Sequence, residues 1–509
     1  MHLPPAARFW SNRSGATVVM FAILLVPIIM MVGAAIDYNV GKREQARLQE
    51  SLDNAVLAAL GRASAATNAA EAQAIVEAYL NATYGGAYEI TSFEAALSKT
   101  ATERSINATA VSSVPTSFLA IARIDSIDVA AHSETRVGND NLEIVMVLDN
   151  SGSMSSNSRI ARLKDAAKAL VTTVNDVATG KVKYGLVPFA GLVNVGPGNK
   201  TKPWIDTAAA SSIHSENFDK KTGRLSLYAQ TGIAWRGCVE ARPNGLDITD
   251  EEPLPAKGDT LFVPSFGPDE PDVGSGFINN YLKDDGGACT TAFGASTSLE
   301  TRQEATCKYH GTSPAETISN GTHKGPNHLC DSAPILPLTD NAASVTAAID
   351  AMVALGGTDI TEGMAWGWRV ISPTEPFTEG QAYTTMGLRK IIVLMTDGAN
   401  TMYPSGNMNL TWYSAYGFAA AGRLGTATGD AAILKAEIDS RLAKVCSHAK
   451  AAGIEVYTIT YDVADQATRD LMLACATDTS HAYFPTATDN LVAVFEAIGH
   501  SVGKLRLSE

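Results

Sequence analysis

Residues 143–153 read Glu-Ile-Val-Met-Val-Leu-Asp-Asn-Ser-Gly-Ser, and the fold turns on how they are understood. Five apolar residues, Ile144 to Leu148, stand between two acids with no polar alternation, the mark of a strand buried on both faces. Asp149 closes that strand, and a helix pattern follows with Ile160, Leu163, Ala167, Leu170, Val171, Val174 and Val177 on one face. Working outward, strands are expected near Tyr184 to Ala190, Ile335 to Leu338, Lys390 to Gly398 and Ile454 to Asp462. Between and after them lie a helix ending near Val353, one carrying Ile433, Leu434, Ile438, Leu442 and Val445, and a last one carrying Leu491, Val494, Phe495 and Ile498. Strands alternating with helices predict an α/β fold, a doubly wound and mostly parallel sheet.

The alternation stops between Gly196 and about Ala333. This Gly/Pro/Asp-rich stretch holds four of the six cysteines and reads as an insertion, acidic around Asp247, Asp250, Glu251, Glu252, Asp269, Glu270 and Asp272. A calcium site there lacks EF-hand spacing, so a solvated, disulfide-held loop is expected. Cys238, Cys289, Cys307 and Cys330 admit three pairings, left open, whereas Cys446 and Cys475, in adjacent βα units, are expected to pair. Six cysteines without C-x-x-C or zinc spacing suit an oxidising compartment. Trp366 and Trp368, two apart on one helix, cannot share a face, so at least one packs in the core.

The chain has 509 residues, 45% hydrophobic and 18% charged, with a net charge of −14. That is enough to bury a full core and argues against phosphate-backbone binding, so no nucleic-acid partner is expected. From Ala16 to Ile36 no charge interrupts an apolar run long enough to cross a bilayer, Pro27 included. The run is longer than a cleaved signal's apolar region, which favours a retained anchor. Lys/Arg counts on its two sides do not decide orientation; the cysteines place the larger part outside the cytoplasm. Beyond it, Leu48, Leu52, Ala55, Val56, Ala59 and Leu60 recur at helical spacing, so the anchor is expected to continue as one rod. A second helix is expected near Glu71 to Leu80, then a small β-rich module in which Ile124 to Val129 is most strand-like.

The chemistry centres on Asp149-Asn150-Ser151-Gly152-Ser153, one carboxylate and two hydroxyls at the carboxyl end of a buried strand, where parallel sheets bind ligands. Thr358, in Gly356-Gly357-Thr358, opens a helix, and Asp397, in Thr396-Asp397-Gly398, ends another strand. These five residues resemble the metal-ion-dependent adhesion site of von Willebrand factor A domains, over about Leu142 to Leu505 apart from the insertion. The resemblance implies a doubly wound sheet, a divalent cation held by Asp149, Ser151, Ser153, Thr358 and Asp397, and a partner carboxylate completing its shell. Oxygen donors suit Mg²⁺, with Ca²⁺ or Mn²⁺ as alternatives. The bland reading is that Asp149 and Asp397 cap turns or helices; Asp359 and Thr361 are expected to cap or support rather than ligate. No P-loop, G-x-S-x-G or H-E-x-x-H is present, so an enzyme is not expected.

The segment from Arg13 to Leu60, with Gly15, Phe21, Pro27, Asp37 and the Gln/Leu/Ala-rich helix beyond, resembles the N-terminus of TadE/TadG-like proteins of Tad (Flp) pilus assembly. Val18, Val19 and Met20 stand where pseudopilin members carry a Glu, so cleavage at Gly15 is not expected. Anchor and A domain together resemble TadG-like proteins. The expected organisation is a cytoplasmic N-terminus (1–13), an anchor (14–38), a helical stalk (39–85), a β-rich module (86–140) and an A domain (141–505) with its insertion at about 197–333. The resemblance implies a single-pass bacterial inner-membrane protein, its C-terminal part periplasmic or extracellular, that assembles or anchors a Tad pilus through metal-mediated contacts with pilus-assembly components. The alternative is a surface or pilus-associated adhesin binding host or matrix protein through the same site.

Overall fold

The computed structural model describes residues 14–61, 69–84, 88–99, 103–138, 141–178, 180–385 and 387–503. They form two compact units, divided in sequence between Asn139 and Asp140.

In the first unit a single helix runs from Ser14 to Gly61 through Pro27, as the continuous rod was expected to. It is the one helix among the described residues long and apolar enough to cross a membrane. Its second half buries Leu48, Leu52, Ala55, Val56 and Ala59, a helix Ala69–Tyr84 adds Ala72, Val76 and Leu80, and both share one core with a three-stranded sheet. That sheet, β1 (Ile90–Lys99), β2 (Glu103–Pro115) and β3 (Ser126–Gly138), is antiparallel in chain order. Ile124 and Asp125 precede β3 rather than start it, because they close the β2–β3 turn: the Thr116 N–H donates to the Asp125 carbonyl at 3.0 Å.

The second unit contains β4 (Asn141–Asp149), β5 (Val182–Phe189), β6 (Val193–Asn194), β7 (Cys238–Val239), β8 (Thr317–Ser319), β9 (Thr322–Lys324), β10 (Leu336–Thr339), β11 (Leu388–Thr396), β12 (Glu455–Thr460) and β13 (Ala482–Tyr483). The main sheet runs β13-β12-β11-β4-β5-β6-β7, with β10 on β5. From β13 to β5 every pairing is parallel, while β5–β6, β6–β7 and β10–β5 are antiparallel. The sheet is therefore mixed, and more so than expected, because the chain enters and leaves the insertion by short antiparallel strands. Alternation along β4 sends Val145 and Val147 to one face, where helices Ile360–Ile371, Ala431–Ala451 and Gln466–Cys475 pack. Ile144, Met146 and Leu148 meet helices Arg159–Val177, Ala342–Asp350 and Leu491–Val502 on the other. Sequence periodicity had not separated Gln466–Cys475 or β13 from their loops.

The insertion is only in part the solvated, disulfide-held loop expected: Glu251, Glu252 and Asp272 are exposed and two disulfides tie it, but three other acids are buried. Asp247, Asp269 and Glu270 are each at most 1% exposed. Asp269 is paired with Lys308 at 2.9 Å, Asp247 with Arg441 at 2.6 Å, and Glu270 accepts the Asn279 N–H at 2.6 Å. Each desolvated acid thus has a partner, the condition for burying it. Phe262 from the insertion lies 4.6 Å, ring centre to ring centre, from Trp366. Because the sheet takes one side of Ile360–Ile371 and the insertion the other, the whole helix is buried and both Trp366 and Trp368 are core residues. Cys446 pairs with Cys475 as expected; the other bridges are Cys238–Cys330 and Cys289–Cys307.

Candidate metal centre

β4 and β11 are parallel neighbours in register as far as Leu148 opposite Met395. Their carboxyl ends therefore set Asp149 and Asp397 at the same sheet edge. Asp149 has no exposed surface. Its Oδ1 accepts the Ser151 N–H at 2.7 Å and its Oδ2 accepts the Thr396 hydroxyl at 2.7 Å. The first bond is the turn-capping contact the bland reading anticipates. Asp397 does something else: Oδ1 accepts the Ser153 hydroxyl at 2.5 Å, and Oδ2 faces the Arg159 guanidinium at 2.7 Å. Ser151 and Ser153 hydroxyls lie 3.0 Å apart, completing a chain from one strand end to the other.

Thr358 is delivered by a different route. The Gly152 N–H donates to the Gly356 carbonyl at 2.9 Å and the Leu355 N–H to the Asn150 carbonyl at 2.9 Å, which holds the two loops together. Gly356 has φ +87°, and a Cβ there would lie 2.4 Å from Asp331 Oδ2, so both backbone and space call for glycine. The Thr358 N–H then donates to the Thr401 hydroxyl at 3.0 Å, tying it to the segment after Asp397. The helix begins two residues later, at Ile360, capped by Asp359, whose carboxylate accepts the Glu362 N–H at 3.0 Å. Thr361 donates to the Ile438 carbonyl at 3.0 Å and stays inside. All five residues singled out in sequence are thus gathered at one edge, with Ser151, Ser153 and Thr358 lining a cavity of about 340 Å³.

Burial, and then the charge on Asp397, push the Asp149 carboxyl up to about 6, against the pull of bonds from Ser151 and Thr396. Both of those partners are neutral, so Asp149 has no compensating charge of its own. Two carboxylates beside three hydroxyls form an all-oxygen donor set that fits a hard divalent ion. Among the described residues, no cluster of three or more His, Cys, Asp or Glu side chains is positioned to hold a metal; an ion here would rely on hydroxyls beside the two acids.

Four contributors escaped the sequence reading. Arg159 pairs with Asp397 and also with Asp462. Its signal was a cation at the first position of a helix, where the macrodipole disfavours one unless acids offset it. Tyr403 and Trp412, with ring centres 4.5 Å apart, and the insertion turn around Asn320 to Thr322 wall the cavity. Nothing periodic marks them, since they lie on loops brought in by tertiary contacts.

Residues 15–73 match the family described as putative Flp pilus-assembly TadE/G-like. No curated protein matches the chain. Among solved structures, the pilus adhesin SpaC from Lactobacillus rhamnosus GG is similar at 12% identity and TM-score 0.34, over 82% of this chain and 36% of that one. The vWF domain of the type V pili tip protein Mfa5 from Porphyromonas gingivalis is similar at 15% identity and TM-score 0.32, over 72% of this chain and 97% of that one. A von Willebrand factor type A structure from Catenulispora acidiphila gives 10% identity and TM-score 0.29, over 81% and 49% respectively. The chain thus spans little more than a third of SpaC's length.

Proposed function

We propose that this chain is a membrane-anchored component of a Tad/Flp-type pilus system that binds protein partners through a divalent cation held at Asp149, Ser151, Ser153, Thr358 and Asp397. The observation that carries the reading is the Asp149 carboxylate, buried beside Asp397 with only neutral hydrogen-bond partners, while Ser151 and Ser153 of the same turn line the adjoining cavity with Thr358. The family match over residues 15–73 supports the pilus setting, and the long apolar helix supports anchoring in a membrane; the proposal puts that helix in the bacterial inner membrane and the second unit in the periplasm or beyond.

A cation there, Mg²⁺ or alternatively Ca²⁺ or Mn²⁺, would supply a positive centre for a partner's carboxylate. The chain's own residues do the rest. Asp149 holds charge and accepts the Ser151 N–H, Ser153 donates to one oxygen of Asp397, and Arg159 fixes Asp397 through the other. Tyr403 and Trp412 give an approaching segment an aromatic wall. The proposed role is binding of a protein partner.

The test uses the full chain in detergent, titrated with Mg²⁺ and Mn²⁺ and used to capture envelope proteins with metal or with chelator. Wild type is expected to bind metal and to retain pilus-machinery proteins in its presence only. Asp149→Ala should lose both while keeping its circular dichroism. Metal affinity unchanged in that variant overturns the site. Metal-dependent retention of host or matrix protein, offered in parallel, would move the reading to an adhesin.

A further inference from the structure

The β2–β3 turn carries an apolar tip, Phe118-Leu119-Ala120-Ile121-Ala122-Arg123-Ile124, within the same unit as the apolar helix. A water-soluble hairpin would place polar turn residues there. Instead Ile121 is 68% and Ile124 47% exposed. The tip is also well ordered internally: Leu119–Ala122 forms a 3₁₀ turn, Arg123 closes it at φ 66°, and the Ile124 N–H returns to the Leu119 carbonyl at 3.1 Å.

Its position on the helix is fixed twice over. Asp37 accepts the N–H groups of Ser117, Phe118 and Leu119 at 3.1, 2.9 and 2.8 Å. One turn earlier, a Cβ on Gly33 would fall 2.4 Å from Phe118, so Gly33 is where the tip's aromatic ring is received. Asp37 is the first charge after the apolar run, which from Ala16 to Ile36 spans about 30 Å of helix, the thickness of a hydrocarbon core. The tip is therefore held at the depth where that core ends. Val32 and Ile36, each one residue before a helix position that meets the tip, are also exposed, at 57% and 47%.

We infer that residues 118–124 are a second membrane element: an apolar hairpin tip that enters the interfacial zone of the bilayer beside the spanning helix, with Arg123 reaching lipid headgroups. The occupant of this exposed surface is lipid. Together, the clamp at Asp37 and the inserted tip set the tilt and rotation of the helix where it leaves the membrane, which a lone helix cannot fix.

Every cysteine of the chain is in a disulfide, so a single introduced cysteine gives a unique label on the full chain. Ile121→Cys, Leu24→Cys and Asn107→Cys are each labelled with an environment-sensitive fluorophore and reconstituted in phosphatidylethanolamine–phosphatidylglycerol vesicles. Leu24 is exposed on the spanning run and Asn107 on β2 well away from the tip. The Ile121 label is expected to shift to the blue, to lose fluorescence to lipids carrying a nitroxide near the headgroup, and to resist aqueous iodide. The Leu24 label should respond to nitroxide deep in the chain, and Asn107 only to iodide. A quenched Leu24 with an iodide-sensitive Ile121 overturns the insertion. So does an Ile121 label shielded from both quenchers, which would mean that protein covers the tip. A Leu24 label open to iodide removes the spanning helix and the inference with it.

Discussion

β4 buries Ile144, Met146 and Leu148 on one side and Val145 and Val147 on the other, and its helices answer with Leu, Ile, Val and Phe. The insertion, in the same compact unit, buries Arg224 against Glu240, Lys308 against Asp269 and Arg302 against Asp284, with His214 on Asp206. Apart from the buried Glu143–Lys390 pair at 2.5 Å, the sheet coheres by apolar area, and any apolar residue of suitable shape serves at most of its positions. The insertion is cohesive only when many polar partners are placed at once, because each desolvated charge left unpaired is a penalty. Disulfides are distributed accordingly, with two of three inside the insertion and the third, Cys446–Cys475, between helices. Irregular backbone without a repeating ladder is made unique here by covalent ties and specific charges.

The comparison breaks most visibly if the ties do not matter. Cys238–Cys330 joins sheet strand β7 to the far end of the insertion across a sequence separation of 92. Loop-closure entropy puts its contribution at about 4–5 kcal/mol. Replacing both cysteines by alanine should lower the guanidinium midpoint of the second unit, followed by tryptophan fluorescence, more than replacing Cys289 and Cys307. That shorter bridge, at a separation of 18, is expected to contribute about 3 kcal/mol. Equal shifts would mean the insertion is already fixed by its charges.

Those charges supply the next effect in size. Arg224 is fully buried; besides Glu240 it meets the Tyr413 hydroxyl at 3.1 Å and the His214 and Ile213 carbonyls at 3.0 Å. Arg224→Met removes one of the two cations on Glu240, Arg423 remaining at 2.8 Å, and should destabilise by about 3 kcal/mol. A single variant as stable as wild type would show that the pair is dispensable. The volume-conserving Leu148→Met in the sheet, by contrast, is expected to change the same midpoint by less than about 1.5 kcal/mol.

What could be read from sequence divides along the same line. The parallel strands were legible because burial on both faces leaves unbroken apolar runs, and the motif was legible because Asp149, Ser151 and Ser153 are local. Thr358 and Asp397 were found through the same strand-end logic and the family resemblance. Arg159, Tyr403 and Trp412 were not, since only tertiary placement carries them to the cavity. The insertion misled for a physical reason: Asp247, Asp269 and Glu270 look solvated in composition, and their partners, from Asn279 to Arg441, are separated from them in sequence. In the first unit the rod was legible, but the apolar turn at 118–124 was passed over as part of a strand-like stretch.

The smallest effect sharpens the comparison within the site itself. Two buried aspartates lie close in sequence to its hydroxyls and differ in what surrounds them. Asp149 is pushed up to about 6 by burial and Asp397. Asp359, under the loop of Thr358, is pushed up to about 8 by burial and the nearby Glu362. In each case the native state holds a proton that the unfolded chain has already released above its ordinary carboxyl value. Their stabilising contribution is therefore complete below about pH 4 and is lost as pH rises, through 6 for Asp149 and through 8 for Asp359, with a slope of at most about 1.4 kcal/mol per pH unit from each group. Asp359→Asn keeps an oxygen for the Glu362 N–H and removes the titration, so it should flatten the decline between pH 6 and 8 in chelator. Asp149→Asn should flatten it only below pH 6. Mg²⁺ distinguishes them further: a cation at the proposed centre offsets the charge of Asp149, so metal should flatten the lower limb of wild type and leave the Asp359 limb in place. Thermal midpoints of the full chain across this range, with Mg²⁺ and with chelator, measure all three; a lower limb indifferent to Mg²⁺ would make Asp149 a turn cap and nothing more.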